Sequence, residues 1–176
     1  MPTASNMPAT ELFAGCETGK EEDVHAILKD ARATGTLQRL LMRRQHGCTA
    51  LHWAAGSGHV DCVEYLITQS LDPSQKQTTN GRTPLHYAAR NGRTDVCRLL
   101  IEVYRVEADA LADADVTPFQ LACWQVQESV MRYLASSVSE DQSPATAIGQ
   151  EQDPKVLAGD SRGVALISIL SLGRKV

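Results

Sequence analysis

The residues of this sequence that could carry out chemistry are its cysteines and histidines, five of each. Cys48 and His52 stand four positions apart, a spacing that suits a thiol nucleophile and an imidazole base only if one helix carries both. Thr49, which lies between them, has the character of a helix N-cap, so Cys48 would precede the helix that carries His52. We therefore predict that Cys48 is not a nucleophile.

Motifs for metal, redox and phosphate chemistry are missing from the sequence. It contains no C-x-x-C pair and no H-E-x-x-H segment. Gly56-Ser57-Gly58 is typical of a helix end, because the lysine and the spacing of a phosphate-binding loop are absent. An odd number of cysteines favours reduced thiols, and Cys62, Cys97 and Cys123 stand where small buried hydrophobic residues are expected. We predict no catalytic residue, no metal site and no cofactor.

The strongest pattern in the chain is a repeat with a period of 34 residues. The segment G-C-T-A-L-H-W-A-A-G-S-G-H begins at Gly47, and G-R-T-P-L-H-Y-A-A-R-N-G-R begins at Gly81. A third copy, T-P-F-Q-L-A-C, begins at Thr117. A period of this size indicates stacked units, each too small to bury its own apolar face.

The T-P-L-H-x-A-A segment at residues 83–89 resembles the signature of the ankyrin-repeat family. The resemblance is strongest at 47–67 and 81–101. It implies an all-α solenoid of helix-turn-helix units joined by hairpin-like loops. In that family the signature histidines, here His52 and His86, tie neighbouring loops together by hydrogen bonds, which implies a structural role for both.

The signature positions have local physical reasons. Thr49, Thr83 and Thr117 are predicted N-caps, and the prolines that follow two of them suit the first helical position. Glycines 58 and 92 are predicted to end the first helix of their units in a left-handed conformation. The second helix carries apolar residues at i, i+3 and i+4, which predicts a core-facing stripe.

The resemblance covers about residues 10–135 and divides this part of the chain into four units. We predict a degenerate unit, a longer connection with a helical turn near Leu40, Leu41 and Met42, and then three repeats. The predicted boundaries are 10–44 for the degenerate unit and 45–78, 79–112 and 113–135 for the repeats. Residues 1–9 are predicted to be a flexible N-terminus, and 136–176 a largely disordered tail with an apolar segment at 164–172.

The third repeat departs from the pattern of the other two. Val126 and Asp115 replace glycines, and Gln120 replaces the signature histidine. We expect such an end unit to expose Val130, Met131 and Leu134 on its outer side, and we hypothesise that 164–172 folds back over them as a cap. The alternatives are an unstructured terminus or a mis-spliced gene model.

The bulk composition excludes several classes of protein. The chain has 176 residues, of which 43% are hydrophobic and 22% charged, with a net charge of −4, so neither a disordered chain nor a strongly basic nucleic-acid binder is expected. No stretch approaches the roughly 20 apolar residues that span a bilayer, and the first residues do not resemble a secretion signal. We predict a cytoplasmic or nuclear protein.

The resemblance implies recognition of a partner protein, and with the charge and the apolar pattern described above we expect no nucleic acid, no membrane and no small-molecule substrate as partner. In ankyrin arrays the loop tips and the exposed face of each first helix form a concave binding surface. Carried over position by position, the predicted binding residues are His46, Arg82, Arg90, Asn91, Trp124 and Gln125. Trp124 is either an exposed anchor or a side chain folded under the third repeat.

Three alternatives remain open at this stage. The arginines of the loops are either solvated charges or a strip that receives an acidic protein segment. The chain is also compatible with a regulatory or targeting subunit of an enzyme complex, such as a ubiquitin-ligase substrate receptor or a direct enzyme inhibitor. An enzyme would have to be a cysteine hydrolase with a concealed site, and the reactivity of its thiols would reveal it.

Overall fold

The computed structural model describes residues 7–140, with side chains at 9–137. This part of the chain is helical and contains no strand, as the repeat pattern predicts. The helices are α1 (Met7–Thr18), α2 (Glu21–Ala33), α3 (Leu37–Leu41), α4 (Ala50–Ser57), α5 (Val60–Thr68), α6 (Pro84–Arg90), α7 (Thr94–Arg98, continued by a π turn at Leu99–Val103), α8 (Pro118–Trp124) and α9 (Glu128–Glu140), with a 3₁₀ turn at Asp113–Asp115. The predicted helical turn in the long connection is confirmed by α3. The apolar segment 164–172 lies outside the described residues.

The helices form two rows. The inner helices α1, α4, α6 and α8 pack side by side in that order, and the outer helices α2, α5, α7 and α9 each pack against the inner helix that precedes them. The loops between units have hairpin-like pairing, for example from Gln45 to Cys48, where the two backbones exchange hydrogen bonds of 2.8 and 2.9 Å. The architecture is therefore the predicted solenoid of helix-turn-helix units.

Two helices extend beyond the boundaries that we expected for the folded part. The first helix begins at Met7, inside the segment predicted to be flexible, because Pro8 in its first turn needs no hydrogen-bond partner for its nitrogen. The last helix continues to Glu140 instead of ending near Ala135. Near its end, the hydroxyls of Ser136 and Ser137 donate to the Tyr133 carbonyl at 2.7 and 2.8 Å.

A continuous core runs through all four units. Its largest fully buried side chains are Leu12, Leu28, Leu41, Leu51, Leu66, Leu85, Leu100, Leu134, His52, His86, Val24 and Val63. The Ala54-Ala55 and Ala88-Ala89 pairs have no exposed surface, and their small side chains allow the inner helices to approach closely. Four cysteines are buried among these residues, and Cys123 is half-buried.

The third repeat buries residues that we expected it to expose. Val130 has no exposed surface and Leu134 is 1% exposed, because α9 packs against both α7 and α8. Met131 is half-buried. The expectation of an uncovered apolar outer side was therefore wrong, and the cap hypothesis for 164–172 loses the observation on which it rested.

The second repeat contains one residue more in its outer helix than the first. The left-handed residue that ends α5 is Ser70 (φ 76°), whereas the matching residue after α7 is Arg105 (φ 55°), one position later than the period predicts. The π turn at Leu99–Val103 takes up the extra residue. The following loop is one residue shorter, so Thr117 returns to the 34-residue period and the insertion leaves no trace in the repeat.

The left-handed residue after an inner helix is glycine in the first two repeats, for two reasons. At Gly58 (φ 94°) and Gly92 (φ 72°) a side chain would be strained, and a Cβ atom would also overlap the side chain of Arg93 or Gln127 from the next unit. In the third repeat the same position is Val126 (φ 55°), which is 79% exposed because no described unit follows it. A side chain therefore fits at this position only where no described unit stacks, and there it still carries the left-handed strain.

This contrast predicts opposite effects of exchanging glycine and valine. Val126→Gly relieves the left-handed strain of a β-branched residue and should raise the free energy of unfolding by about 1 kcal/mol. Gly92→Val adds both strain and overlap with Gln127 and should lower it by more than about 2 kcal/mol. Denaturant unfolding measures both, and Val126→Ala is the control because it keeps a Cβ atom. If the Val126→Gly protein were less stable than the Val126→Ala protein, Val126 would not be strained by its left-handed backbone.

Candidate interaction surface

The loops are held in place by the signature histidines. In the first repeat, the Thr49 backbone N–H donates to His52 Nδ1 at 3.2 Å, and His52 Nε2 lies 3.1 Å from the Arg82 carbonyl of the next loop. His86 makes the same pair of contacts, with the Thr83 N–H at 3.2 Å and the Val116 carbonyl at 2.9 Å. An N–H can only donate and a carbonyl can only accept, so each ring is neutral with its proton on Nε2.

The same histidines complete the predicted N-caps. Thr49, Thr83 and Thr117 each begin an inner helix with a capping box, in which the third helical residue bonds back to the backbone of the threonine. In the third repeat Gln120 takes the place of the histidine, and its Oε1 accepts from the Thr117 N–H at 2.9 Å. Gln120 therefore supplies the cap without a ring that reaches another loop.

Burial controls the protonation of these rings. Both side chains are almost completely inaccessible, and this desolvation, opposed in part by the carbonyl that each Nε2 contacts, lowers the pKa of His52 and His86 to about 4. The nearby charges of Arg82 and Lys76 lower the pKa of His86 further. Neutral rings are what the loop-to-loop bonds require.

A second network, centred on Gln77, fixes the loop of the second repeat. Gln77 is buried, its Nε2 donates to the His46 carbonyl at 2.8 Å, and its Oε1 accepts from the Tyr87 hydroxyl at 2.7 Å. The Cys48 thiol donates to the same Tyr87 oxygen at 3.3 Å. Sequence reasoning missed Gln77, because the period aligns it with Arg43 and Leu111, two residues that differ from it and from each other and so show no recurring role.

A third set of bonds joins the units at the opposite ends of the inner helices. His59 Nε2 lies 3.2 Å from the Glu17 carbonyl, Arg93 Nε donates to Gly56 at 3.3 Å, and Gln127 Nε2 donates to the Arg90 carbonyl at 3.3 Å. These three donors occupy the same position in successive units. The inner helices α4, α6 and α8 are therefore tied together at both ends, and the face between them is a platform held by hydrogen bonds.

The six predicted binding residues fall at the two ends of this platform. His46 is exposed at the first loop and Arg82 is half-buried at the second, while Arg90, Asn91, Trp124 and Gln125 are exposed where α6 and α8 end. Asn91 also has a structural role, since its Nδ2 donates to the Gly56 carbonyl at 2.8 Å. We call these six residues the recognition surface.

Trp124 is the most prominent side chain of the recognition surface. It is 62% exposed, so it is not folded under the third repeat. It occupies the same position in α8 that Arg90 occupies in α6, so the two residues lie on adjacent helices. Trp53 and Tyr87 are both half-buried, as expected for packing residues with one exposed edge.

The charges of the described residues divide between the two rows. The three lysine or arginine ion pairs found in the range with side chains involve the outer helices or the residue before α2: Lys20 with Asp23, Arg98 with Glu102 and Arg132 with Glu128. Arg82 and Arg90 belong to none of them. The recognition surface therefore has cations that the described carboxylates do not neutralise.

The thiols are placed for packing. Burial raises the pKa of Cys16 and of Cys97 to about 12, and burial also raises the pKa of Cys48, which the Tyr87 hydroxyl only partly offsets. A nucleophilic cysteine needs the opposite shift. Across the side chains that the structure describes, no three His, Cys, Asp or Glu residues are grouped as metal ligands would be, and none of the described helices is long and apolar enough to cross a membrane.

Comparison with known families agrees with this arrangement of loops and helices. A family model described as "Ankyrin repeats (3 copies)" matches residues 8–110 and again 70–145. Because these matches cover most of the chain, it belongs to the ankyrin-repeat family. A search of curated proteins found no match.

The neutral histidines predict a specific pH dependence of stability. Their folded pKa of about 4 lies below the ordinary value of 6.5, so between these pH values the unfolded chain binds more protons. Stability is complete above pH 6.5 and falls as the pH drops through this window. We expect a loss of about 2 kcal/mol for each histidine between pH 7 and pH 5.

The control for this effect is His86→Gln, because Gln120 already fills this position in the third repeat. Unfolding by urea at pH 7 and pH 5 should show that the variant loses about half of the pH-dependent destabilisation. A pH dependence equal to that of the unchanged chain would show that His86 does not carry it.

The thiol environments predict an order of chemical reactivity. In the folded protein, Cys123 should react first with an aromatic disulfide reagent, since it is only half-buried. Cys16 and Cys97 should react only on unfolding. Cys123→Ala should remove the fast phase. If Cys48 instead reacted faster than a cysteine in an unfolded peptide, the cysteine hydrolase alternative would regain support.

Proposed function

We propose that this protein binds a partner protein through the recognition surface and has no catalytic activity of its own. The observation that carries the proposal is Trp124, an exposed aromatic on the helix next to the one that carries the unpaired cation Arg90, on a platform that hydrogen bonds hold at both ends. Tryptophan and arginine are the residues most enriched among those that dominate binding energy at interfaces. Membership of a family of interaction modules supports the same reading.

The energetics of the site favour binding over a purely structural role. A tryptophan with 62% of its surface exposed gives little to the stability of the fold, and it would release ordered water when a partner covers it. The helices that carry Arg90 and Trp124 are already ordered, so binding would cost little conformational entropy. An exposed aromatic and a cation on ordered helices therefore suit the binding of a partner protein.

We infer a domain organisation and a location that go with this function. The recognition domain comprises the degenerate unit 10–44 and the repeats 45–78, 79–112 and 113–135, with α9 extending the last one. Buried, unpaired thiols with raised pKa values suit a reducing compartment, which supports the cytoplasm or the nucleus.

Charge reversal on the recognition surface tests the proposal. Arg82→Glu combined with Arg90→Glu should abolish recovery of the partner in affinity purification followed by mass spectrometry, and Trp124→Ala should weaken it strongly. The stability of these variants should change by only about 0.5 kcal/mol, because the altered side chains are at the surface.

A matched control separates a local effect from a change in net charge. Lys29→Glu with Arg39→Glu alters the charge by the same amount on α2 and α3, away from the recognition surface, and should leave recovery unchanged. Equal recovery of the same partners by the unchanged chain and by the Arg82, Arg90 variant would refute the assignment of this surface.

A further inference from the structure

We propose that the apolar segment 164–172 of this chain docks into a groove on the first unit, at the end of the stack opposite to the third repeat. The segment lies outside the described residues, whereas the groove lies within them. The inference is independent of the proposed function, because none of the residues that line the groove belongs to the recognition surface.

The groove is formed by the first unit alone. Its main part has a volume of about 560 Å³ and is lined by α1, α2, α3 and the turns beside α3. A smaller part of about 430 Å³ continues along α1 and α2, and the two parts share Glu11, Ala26 and Ile27. No residue of α4 or α5 lines either part, so the groove lies on the side of the first unit away from the second. We call it the end groove.

Apolar side chains form the floor of the end groove. Ala31 and Leu40 are buried, Ala26 is exposed, and Ile27 is half-buried, packing against the core while it also lines the groove. The helix α1 is the first of the inner row, so no described unit covers this apolar surface. Repeat arrays need a cover at each end to shield such surfaces from water, and an apolar occupant would supply one here.

The composition of the segment 164–172 suits this floor. Seven of its nine residues are apolar, and Ser168 and Ser171, which are three positions apart, would share one side of a helix. Such a helix would be about 14 Å long, and the 13-residue α2 measures about 20 Å, so the segment would fit along α2.

The connection between the last helix and the segment is long enough to reach the first unit. The helix α9 ends at Glu140, so residues 141–163 precede the segment. Packed helices lie about 8 to 10 Å apart, which separates the two ends of the inner row by about 24 to 30 Å. A random coil with the length of 141–163 has a root-mean-square end-to-end distance of about 25 Å. The connection therefore matches the distance that it must span, the condition for a high local concentration of the segment.

Charge also favours the end groove. Basic residues flank the segment on both sides: Arg162, Arg174 and Lys175. The carboxylates of Glu11 and Asp30 line the groove on α1 and α2, and neither belongs to an ion pair found among the described side chains. The cations of the main part, Arg39 and Arg43, are confined to α3 and the turn that follows it. The basic flanks therefore find carboxylates along α1 and α2.

The third repeat is a poorer match for the segment. Its exposed apolar residues, Trp124 and Val126, lie at the far end of α8, and the adjacent helix carries the unpaired cation Arg90 there. This cation would repel the basic flanks of the segment.

A photo-crosslinking amino acid in the full chain tests the location. At position 39, on the rim of the end groove, it should form crosslinks to 164–172 of the same molecule, and at position 126 it should form none. Ala26→Arg fills the groove and should abolish the crosslinks from position 39. Ala33→Arg is the matched control, because it adds the same side chain to α2 outside the groove and should leave the crosslinks unchanged.

Hydrogen exchange of the full chain tests the contact from the side of the segment. Leu166→Asp with Leu170→Asp should speed exchange of the α1 and α2 amides at least about threefold and leave those of α8 and α9 unchanged. Ser168→Asp with Ser171→Asp adds the same charge on the polar side of the segment and should have no effect.

Several results would overturn the inference. These are crosslinks to 164–172 from position 126, no crosslinks from position 39, or equal effects of the two aspartate pairs on exchange. Crosslinks that join two molecules would show that a second copy supplies the segment, which would contradict docking within one chain. None of these results would affect the proposed function, since Arg82, Arg90 and Trp124 are unchanged in every variant.

Discussion

The hydrogen bond from a signature histidine to the loop carbonyl of the next unit is the interaction on which the rest of the structure depends. No unit buries its apolar face alone, so the core exists only where units are stacked. The rings of His52 and His86 join one unit to the next at the loops, where each adds a second hydrogen bond to a carbonyl that already accepts a backbone N–H. Their low pKa keeps them neutral and allows both nitrogens to take part.

The same coupling creates the recognition surface. Because the inner helices are joined at the loops by histidines and at their other ends by His59, Arg93 and Gln127, the face between them has a fixed shape. A partner can bind charges and an aromatic side chain on a fixed face with little loss of conformational entropy in this protein. The outer helices differ, since they carry more carboxylates than cations; α5, for example, contains Asp61 and Glu64 and no basic residue.

Features that recur in each unit could be predicted from the sequence, whereas features that occur in one unit could not. Thr83, His86 and the paired alanines are visible because the period repeats them, and each has a local role. Gln77 and the π turn at Leu99–Val103 lack a counterpart in the other repeats, so no comparison could reveal them. The expectation for Val130 was wrong for a different reason: its equivalents Cys62 and Val96 are buried too, so the period indicated burial, and the departures elsewhere in the third repeat were given too much weight.

The most direct test of the account is native-state hydrogen exchange of the Leu85→Ala protein. Leu85 is completely buried in α6, and its truncation should cost about 2 to 5 kcal/mol. If the coupling between units holds the structure together, the amides of α4 and α8 should lose as much protection as those of α6. A loss confined to α6, with α4 and α8 unchanged, would show that the units are stable independently and would contradict the account.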